Sequence, residues 1–87
     1  MNNEIDKIKK RLIYRSQYRG TKEMDKLIGN FVSLNINKFD INQLNELEKF
    51  LEIDDDTLYK IYNKKSVENN FNDLKIIEDF KKFKYEK

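Results

Sequence analysis

Eighty-seven residues carry 18 basic and 16 acidic side chains, a net charge of +2 that serves solubility rather than polyanion binding. A chain this short hides only about 60–65% of the surface its unfolded form exposes, which leaves room for one modest core and little for a deep active site. Cysteine and histidine are both absent, so a disulfide framework, a thiolate or histidine metal site, a Ser-His-Asp triad and a Cys-His pair are all excluded within this chain.

No apolar run approaches the roughly 20 residues that cross a bilayer, so no membrane insertion is expected. Met1-Asn2-Asn3-Glu4 does not begin a signal peptide, and a cytoplasmic location is the simplest expectation. The residues read as a single domain over 1–87, with the tail 84–87 expected to fray.

Proline is missing and Gly20 and Gly29 are the only glycines, so helix ends must be read from caps and periodicity. Asn3 can cap a first helix in which Ile5, Ile8 and Leu12 form a narrow stripe, ending near Tyr18 or Arg19, before Gly20 breaks it. A second helix over about 22–34 places Met24, Leu27, Ile28, Phe31 and Val32 on one face, with Lys26 opposite. Within it, Gly29 is tolerable if another helix crosses there, since a mid-helix glycine costs about 1 kcal/mol against alanine.

The next helices share a device, an apolar residue before the cap paired with one five positions on. Phe39 and Leu44 bracket Asp40, with Gln43 placed for a capping box, and open a helix burying Leu44, Leu47, Phe50 and Leu51. Ile53 and Leu58 bracket Asp54 at the start of a short helix through Ile61 and Tyr62, which Asn63 can end in the left-handed conformation. After a polar stretch over 64–70, Phe71 and Ile76 bracket Asn72 and start a last helix that turns Ile76, Ile77, Phe80 and Phe83 inward. Lys81, Lys82 and Lys84 suit its closing turns. No alternating strand pattern and no repeat interrupts this series, so the expected fold is all-α, a compact five-helix bundle. The eleven asparagines, fifteen lysines and ten isoleucines are a bias spread along the chain rather than a low-complexity segment.

Few residues offer chemistry. Asp54, Asp55 and Asp56 diverge at a helix start, without the glycine and distal glutamate of a calcium loop, and are assigned to capping. Ser16, Ser33 and Ser66 have no histidine to activate them. The organised polar residues lie on the first helix: Lys7, Arg11, Arg15 and Arg19 recur every four positions, with Tyr14 and Tyr18 beside them. Such a face suits a binding surface, because Tyr and Arg are enriched at interface hot spots and also stack on nucleic acids. It equally suits a solvated helix face whose tyrosines fill core gaps.

The stretch "YRSQYRGTKEMDKLIGNF" resembles a known family, the small FAD assembly factors of succinate dehydrogenase, called flavinators in eukaryotes. The resemblance rests on R-G-x-x-E, here Arg19-Gly20-Thr21-Lys22-Glu23, preceded by Tyr-Arg-Ser and followed by Asp25 and Gly29. A second block, "LNELEKFLEIDDDTLYKIYNKK", follows in the right order, so the similarity runs from about Arg11 to Lys65. The chain departs from the family's pattern in Thr21-Lys22, where Met-Leu or Met-Arg is frequent. It departs again at Asp56 and Asn63, which stand where proline and glycine are frequent.

The resemblance implies a five-helix protein, monomeric when free, that binds the flavoprotein subunit of succinate dehydrogenase, and often of fumarate reductase. It implies that this binding promotes covalent attachment of FAD to a histidine of that subunit. The family is not usually described as enzymatic, so no catalytic residue and no stably bound cofactor are expected here, FAD being attached to the partner. It is expected to work in the bacterial cytoplasm, or in the mitochondrial matrix as a processed eukaryotic form.

Carried over, Arg19, Gly20 and Glu23 are the contact motif, with Arg15 and Asp25 beside it. Arg11, Tyr14 and Tyr18 extend the partner-binding face. Gly20 would then admit a close approach to the backbone between opposite charges on Arg19 and Glu23, and replacing either charge would leave stability nearly unchanged. The alternative is that Gly20 only ends a helix and Arg19 pairs with Glu23 internally. A reading of another class, a small helical nucleic-acid-binding module using the basic face of the first helix, is opposed by the low net charge.

Overall fold

The computed structural model describes residues 3–65 and 74–84. Among these, five α-helices follow one another: α1 (Asn3–Gln17), α2 (Lys22–Asn35), α3 (Ile41–Leu51), α4 (Asp55–Tyr62) and α5 (Lys75–Lys82). A 3₁₀ turn, Ile36–Lys38, joins α2 to α3, and no strand occurs among the described residues. The all-α expectation is met.

The apolar stripes read from periodicity converge on one core. Leu12 of α1, Leu27, Ile28, Phe31 and Val32 of α2, Leu44, Leu47 and Phe50 of α3, Leu58 of α4 and Ile77 and Phe80 of α5 are all buried. Its centre is a triangle of rings from three helices, Phe31, Phe50 and Phe80, with centroids 5.0–5.6 Å apart in tilted and edge-on pairs. Phe83 and Tyr62 close its margin against Phe31 and Phe80. Edge-on and tilted contacts of this kind add to the stabilisation that burial alone provides. Ile36 in the 3₁₀ turn is also buried, a core position outside any helical period.

α1 packs on α2 and α3, and Gly29 is where α1 crosses. A Cβ there would stand 3.2 Å from Gln17 Cγ and 3.6 Å from the Ser16 carbonyl oxygen. Ser16, fully buried, turns its hydroxyl back to the Ile13 carbonyl at 2.6 Å, so the crossing is lined by two small residues with no polar atom stranded.

The helix starts follow their caps. Asp40 and Gln43 form the reciprocal capping box, and Asp54 accepts from the Thr57 amide and hydroxyl. The Thr57 hydroxyl and amide hold the Asp54 carboxyl below its ordinary value of 3.8. Asn3, expected as a cap, is instead the first residue of α1.

Three ends differ from the sequence reading. α1 stops at Gln17, just short of the expected end near Tyr18 or Arg19, because the Arg19 amide is taken by the Asp25 carboxylate instead of a helix carbonyl. Asn63 is not left-handed (φ −89°); Lys64 is (φ 60°). The bonds Lys65 N–H to Lys60 O (2.8 Å) and Lys64 N–H to Ile61 O (3.0 Å) make this a Schellman end in which the reversal falls one residue later. α5 starts at Lys75, with Leu74 at the cap position, and its Ile76 amide is satisfied from another helix by Glu46 Oε1 at 3.1 Å. The Phe71 and Asn72 of the expected staple lie outside the described residues, as do 85–87 of the tail. Lys84 lies beyond the end of α5.

Candidate functional site

Residues 18–21 connect α1 to α2, and their geometry is set by bonds at both ends. Asp25, one turn into α2, turns its Oδ1 back to accept from the backbone amides of Arg19 and Gly20. Thr21 caps α2, its hydroxyl oxygen accepting from the Met24 amide at 3.2 Å. Gly20 sits at φ +123°, a backbone conformation that side-chain-bearing residues rarely adopt. A Cβ on it would meet only Asp55 Oδ2, at 3.8 Å. The requirement for glycine is therefore conformational and not one of space.

Arg19 does not extend outward. With α1 ending at Gln17, its side chain leaves the basic row and runs to the junction of α3 and α4. There Nε donates to Asp55 Oδ1 at 2.8 Å, Nη1 to the Leu51 carbonyl at 2.5 Å and Nη2 to the Ile53 carbonyl at 2.5 Å. The Arg19 side chain is only 10% exposed and that of Asp55 25%. A planar guanidinium fork fits this junction because it can donate to three acceptors at once. It satisfies an orphan carbonyl at the end of α3 and sits favourably against the negative end of that helix.

This corrects two sequence expectations. Arg19 is not a free surface charge, and its ion-pair partner is Asp55 rather than Glu23. Asp55, assigned to capping with its neighbours, has a distinct role, while Asp54 caps α4 and Asp56 pairs with Lys60 at 3.2 Å. Adjacency in the sequence concealed the difference, which only the helix start resolves.

The remaining site residues are presented outward. Gly20, Thr21, Lys22 and Glu23 are all exposed, and Glu23 makes no ion pair among the described residues. Tyr14 and Tyr18 are 63% and 67% exposed and stack on each other with centroids 4.6 Å apart, so they do not fill core gaps. Arg15 is half-buried on α1, and Arg11 reaches across to Glu48 of α3 at 3.3 Å. Two surface clefts, bordered by Phe31, Phe39 and Phe83 and by Tyr62, Lys81 and Phe83, include none of these residues. No group of carboxylates able to hold a metal occurs among the described residues, and no described helix is long and apolar enough to cross a membrane.

What the site offers is thus an exposed backbone edge with a carboxylate and an aromatic pair, on a rigidly held turn. A family model described as "Flavinator of succinate dehydrogenase" matches residues 10–84, which spans the turn and every helix after α1. The chain belongs to this family. Curated flavinator-family relatives agree. A Dictyostelium discoideum protein named "Succinate dehydrogenase assembly factor 2, mitochondrial" is 38% identical over 64 residues, 74% of this chain and 45% of that protein. Relatives of the same name are 37% identical in Arabidopsis thaliana, over 69% of this chain and 33% of that protein, and 31% in Caenorhabditis elegans, over 92% and 70%. The chain therefore spans less than half the length of the Dictyostelium and Arabidopsis proteins. No solved structure matches it.

Proposed function

We propose that this flavinator-family chain binds the flavoprotein subunit of succinate dehydrogenase and promotes covalent attachment of FAD to it, as an assembly factor and not as an enzyme. The observation that carries the reading is the turn at residues 20–23: within a matched family region, it combines an exposed backbone at Gly20 with an exposed Glu23 that makes no ion pair among the described residues, on a fixed support. A surface of this kind docks a protein rather than enclosing a small substrate.

The chain has no histidine, so the flavin acceptor belongs to the partner. Attachment needs the flavin held against that acceptor and the charge developing on its ring stabilised, which positioning and preorganised electrostatics can supply. The factor contributes by binding the attachment-competent conformation of the flavoprotein more tightly than others, which raises that conformation's population. Glu23 and the exposed turn around Gly20 are its polar contacts, with Tyr14, Tyr18 and Arg15 flanking them. On the same reading, fumarate reductase is a second client. The chain acts as a monomer, wherever the flavoprotein is assembled: the bacterial cytoplasm or the mitochondrial matrix. The nucleic-acid reading is supported less, because two of the four cations in the basic row, Arg11 and Arg19, pair with Glu48 and Asp55.

The test is co-expression with a tagged flavoprotein subunit in cells lacking their own factor, with covalent flavin read by in-gel fluorescence. Co-purification of the two chains and a rise in covalent flavin over empty vector are expected. Flavin at the vector level would refute the function.

A further inference from the structure

Resting on that flavoprotein-binding reading, we propose that Asp55 is a positioning residue for flavinylation: with the Leu51 and Ile53 carbonyls it holds Arg19 against the α3–α4 junction, and through Arg19 it sets the edge at residues 20–23 that the flavoprotein meets.

The turn has two kinds of tie. Asp25 fastens the backbone amides of Arg19 and Gly20 to α2, and Thr21 caps the same helix. These bonds shape the turn but leave it to move with the N-terminus of α2. The guanidinium of Arg19 is what links it to elements thirty-odd residues further along the chain. Of the three groups it reaches, two are backbone carbonyls present whatever the sequence. Asp55 is the side chain that selects the position, and its charge keeps the nearly buried cation in place.

The junction also has closing bonds of its own that do not involve Arg19. Its turn is closed by Glu52 N–H to Lys49 O and Ile53 N–H to Phe50 O, both 3.1 Å, and α4 is capped by Asp54. To these bonds Asp55 and Arg19 add the orientation of the turn. Gly20 gives the turn freedom that this tie removes, and misplacement by about 1 Å is enough to lower the rate of a positioned reaction by up to about 100-fold.

The experiment compares covalent flavin on the co-expressed flavoprotein, and affinity for the purified subunit, across Asp55→Ala, Asp55→Asn, Arg19→Ala, the Arg19→Ala, Asp55→Ala double variant and Ile77→Ala. Folded fraction is measured for each at the assay temperature. Ile77, buried in α5, supplies a loss of stability that leaves the turn untouched. Asp55→Ala and Arg19→Ala are each expected to lower covalent flavin about tenfold or more. The double variant should fall no further than Arg19→Ala, since both break one tie. Asp55→Asn, still able to accept from Nε but without the charge, should fall between Asp55→Ala and wild type, and Ile77→Ala should keep the yield at equal folded fraction.

Wild-type yield from folded Asp55→Ala, beside a failing Arg19→Ala, would overturn the inference by showing that Arg19 meets the partner itself. So would multiplied defects in the double variant, or an Ile77→Ala defect equal to that of Asp55→Ala. An inactive wild-type chain would instead remove the function on which the inference rests.

Discussion

Arg19→Ala tests the central finding, that the arginine of the family motif is an internal tie. Removing one partner of a buried ion pair costs about 3–5 kcal/mol, because the group left behind loses its compensation. Here the loss falls at the lower end. Asp55 keeps a quarter of its side chain in water and rehydrates, while the Leu51 and Ile53 carbonyls each lose a charged donor. The expected destabilisation is therefore about 3 kcal/mol. For a domain of 60–100 residues, about 4–8 °C per kcal/mol puts the fall in melting temperature at about 12–24 °C.

Thermal and urea unfolding followed by far-ultraviolet circular dichroism measure this directly, with Glu23→Ala as the comparison. Glu23 is exposed and without an ion pair among the described residues, so its replacement should change stability by no more than about 0.5 kcal/mol. Arg19→Lys should fall between them, since an ammonium can keep the Asp55 contact but cannot span three acceptors. An Arg19→Ala midpoint indistinguishable from that of Glu23→Ala would refute the reasoning and return Arg19 to the free surface.

Phe31→Ala should cost about 3–5 kcal/mol, because its ring touches those of Phe50, Phe80 and Phe83, while exposed Lys26→Ala should leave the urea midpoint unmoved. Lys64→Gly should raise that midpoint, relieving a left-handed lysine whose conformation costs about 1 kcal/mol; a lower midpoint would contradict the Schellman assignment. Titration of the Asp54 carboxyl by NMR should give a midpoint below 3.8, and Thr57→Val, which removes the hydroxyl donor, should move it back up. Because the folded pKa is the lower one, this cap contributes its full stabilisation above 3.8 and loses it as pH falls through the folded value, so Thr57→Val should also shorten the acid limb of the stability profile.

What could be read from the sequence was whatever depends on neighbours along the chain. Helical periods placed Leu27, Phe31, Leu47 and Phe80 in the core, and the residues around Asp40 and Asp54 specified their own helix starts. Gly29 invited a helix crossing, and α1 crosses there. Bonds between distant segments were not legible. Glu46 satisfying the Ile76 amide leaves no local signal, which is why the local pattern points to Asn72 for the start of the last helix. Ile36 is buried by a 3₁₀ turn that has no helical repeat.

The same limit explains the candidate site. Spacing placed Arg19 in a row with Lys7, Arg11 and Arg15, a correct extrapolation only while the helix continues. Asp25 ends it at Gln17, before Arg19, by binding the Arg19 amide, and that bond redirects the side chain from the solvent face towards Asp55. The motif therefore contains residues with opposite roles. Arg19 and Asp25 face inward and fix the turn, Gly20 permits its φ of +123°, and Glu23 faces out. A surface that must hold a partner's reacting groups in register benefits from that division, because an edge held from two sides loses little freedom on docking and so retains more of its contact energy for the partner. Under the proposed function, substitutions at Arg19 and Glu23 give the same loss of flavinylation for different reasons, one by releasing the edge and the other by deleting a contact. Their stabilities, and not their activities, distinguish the two.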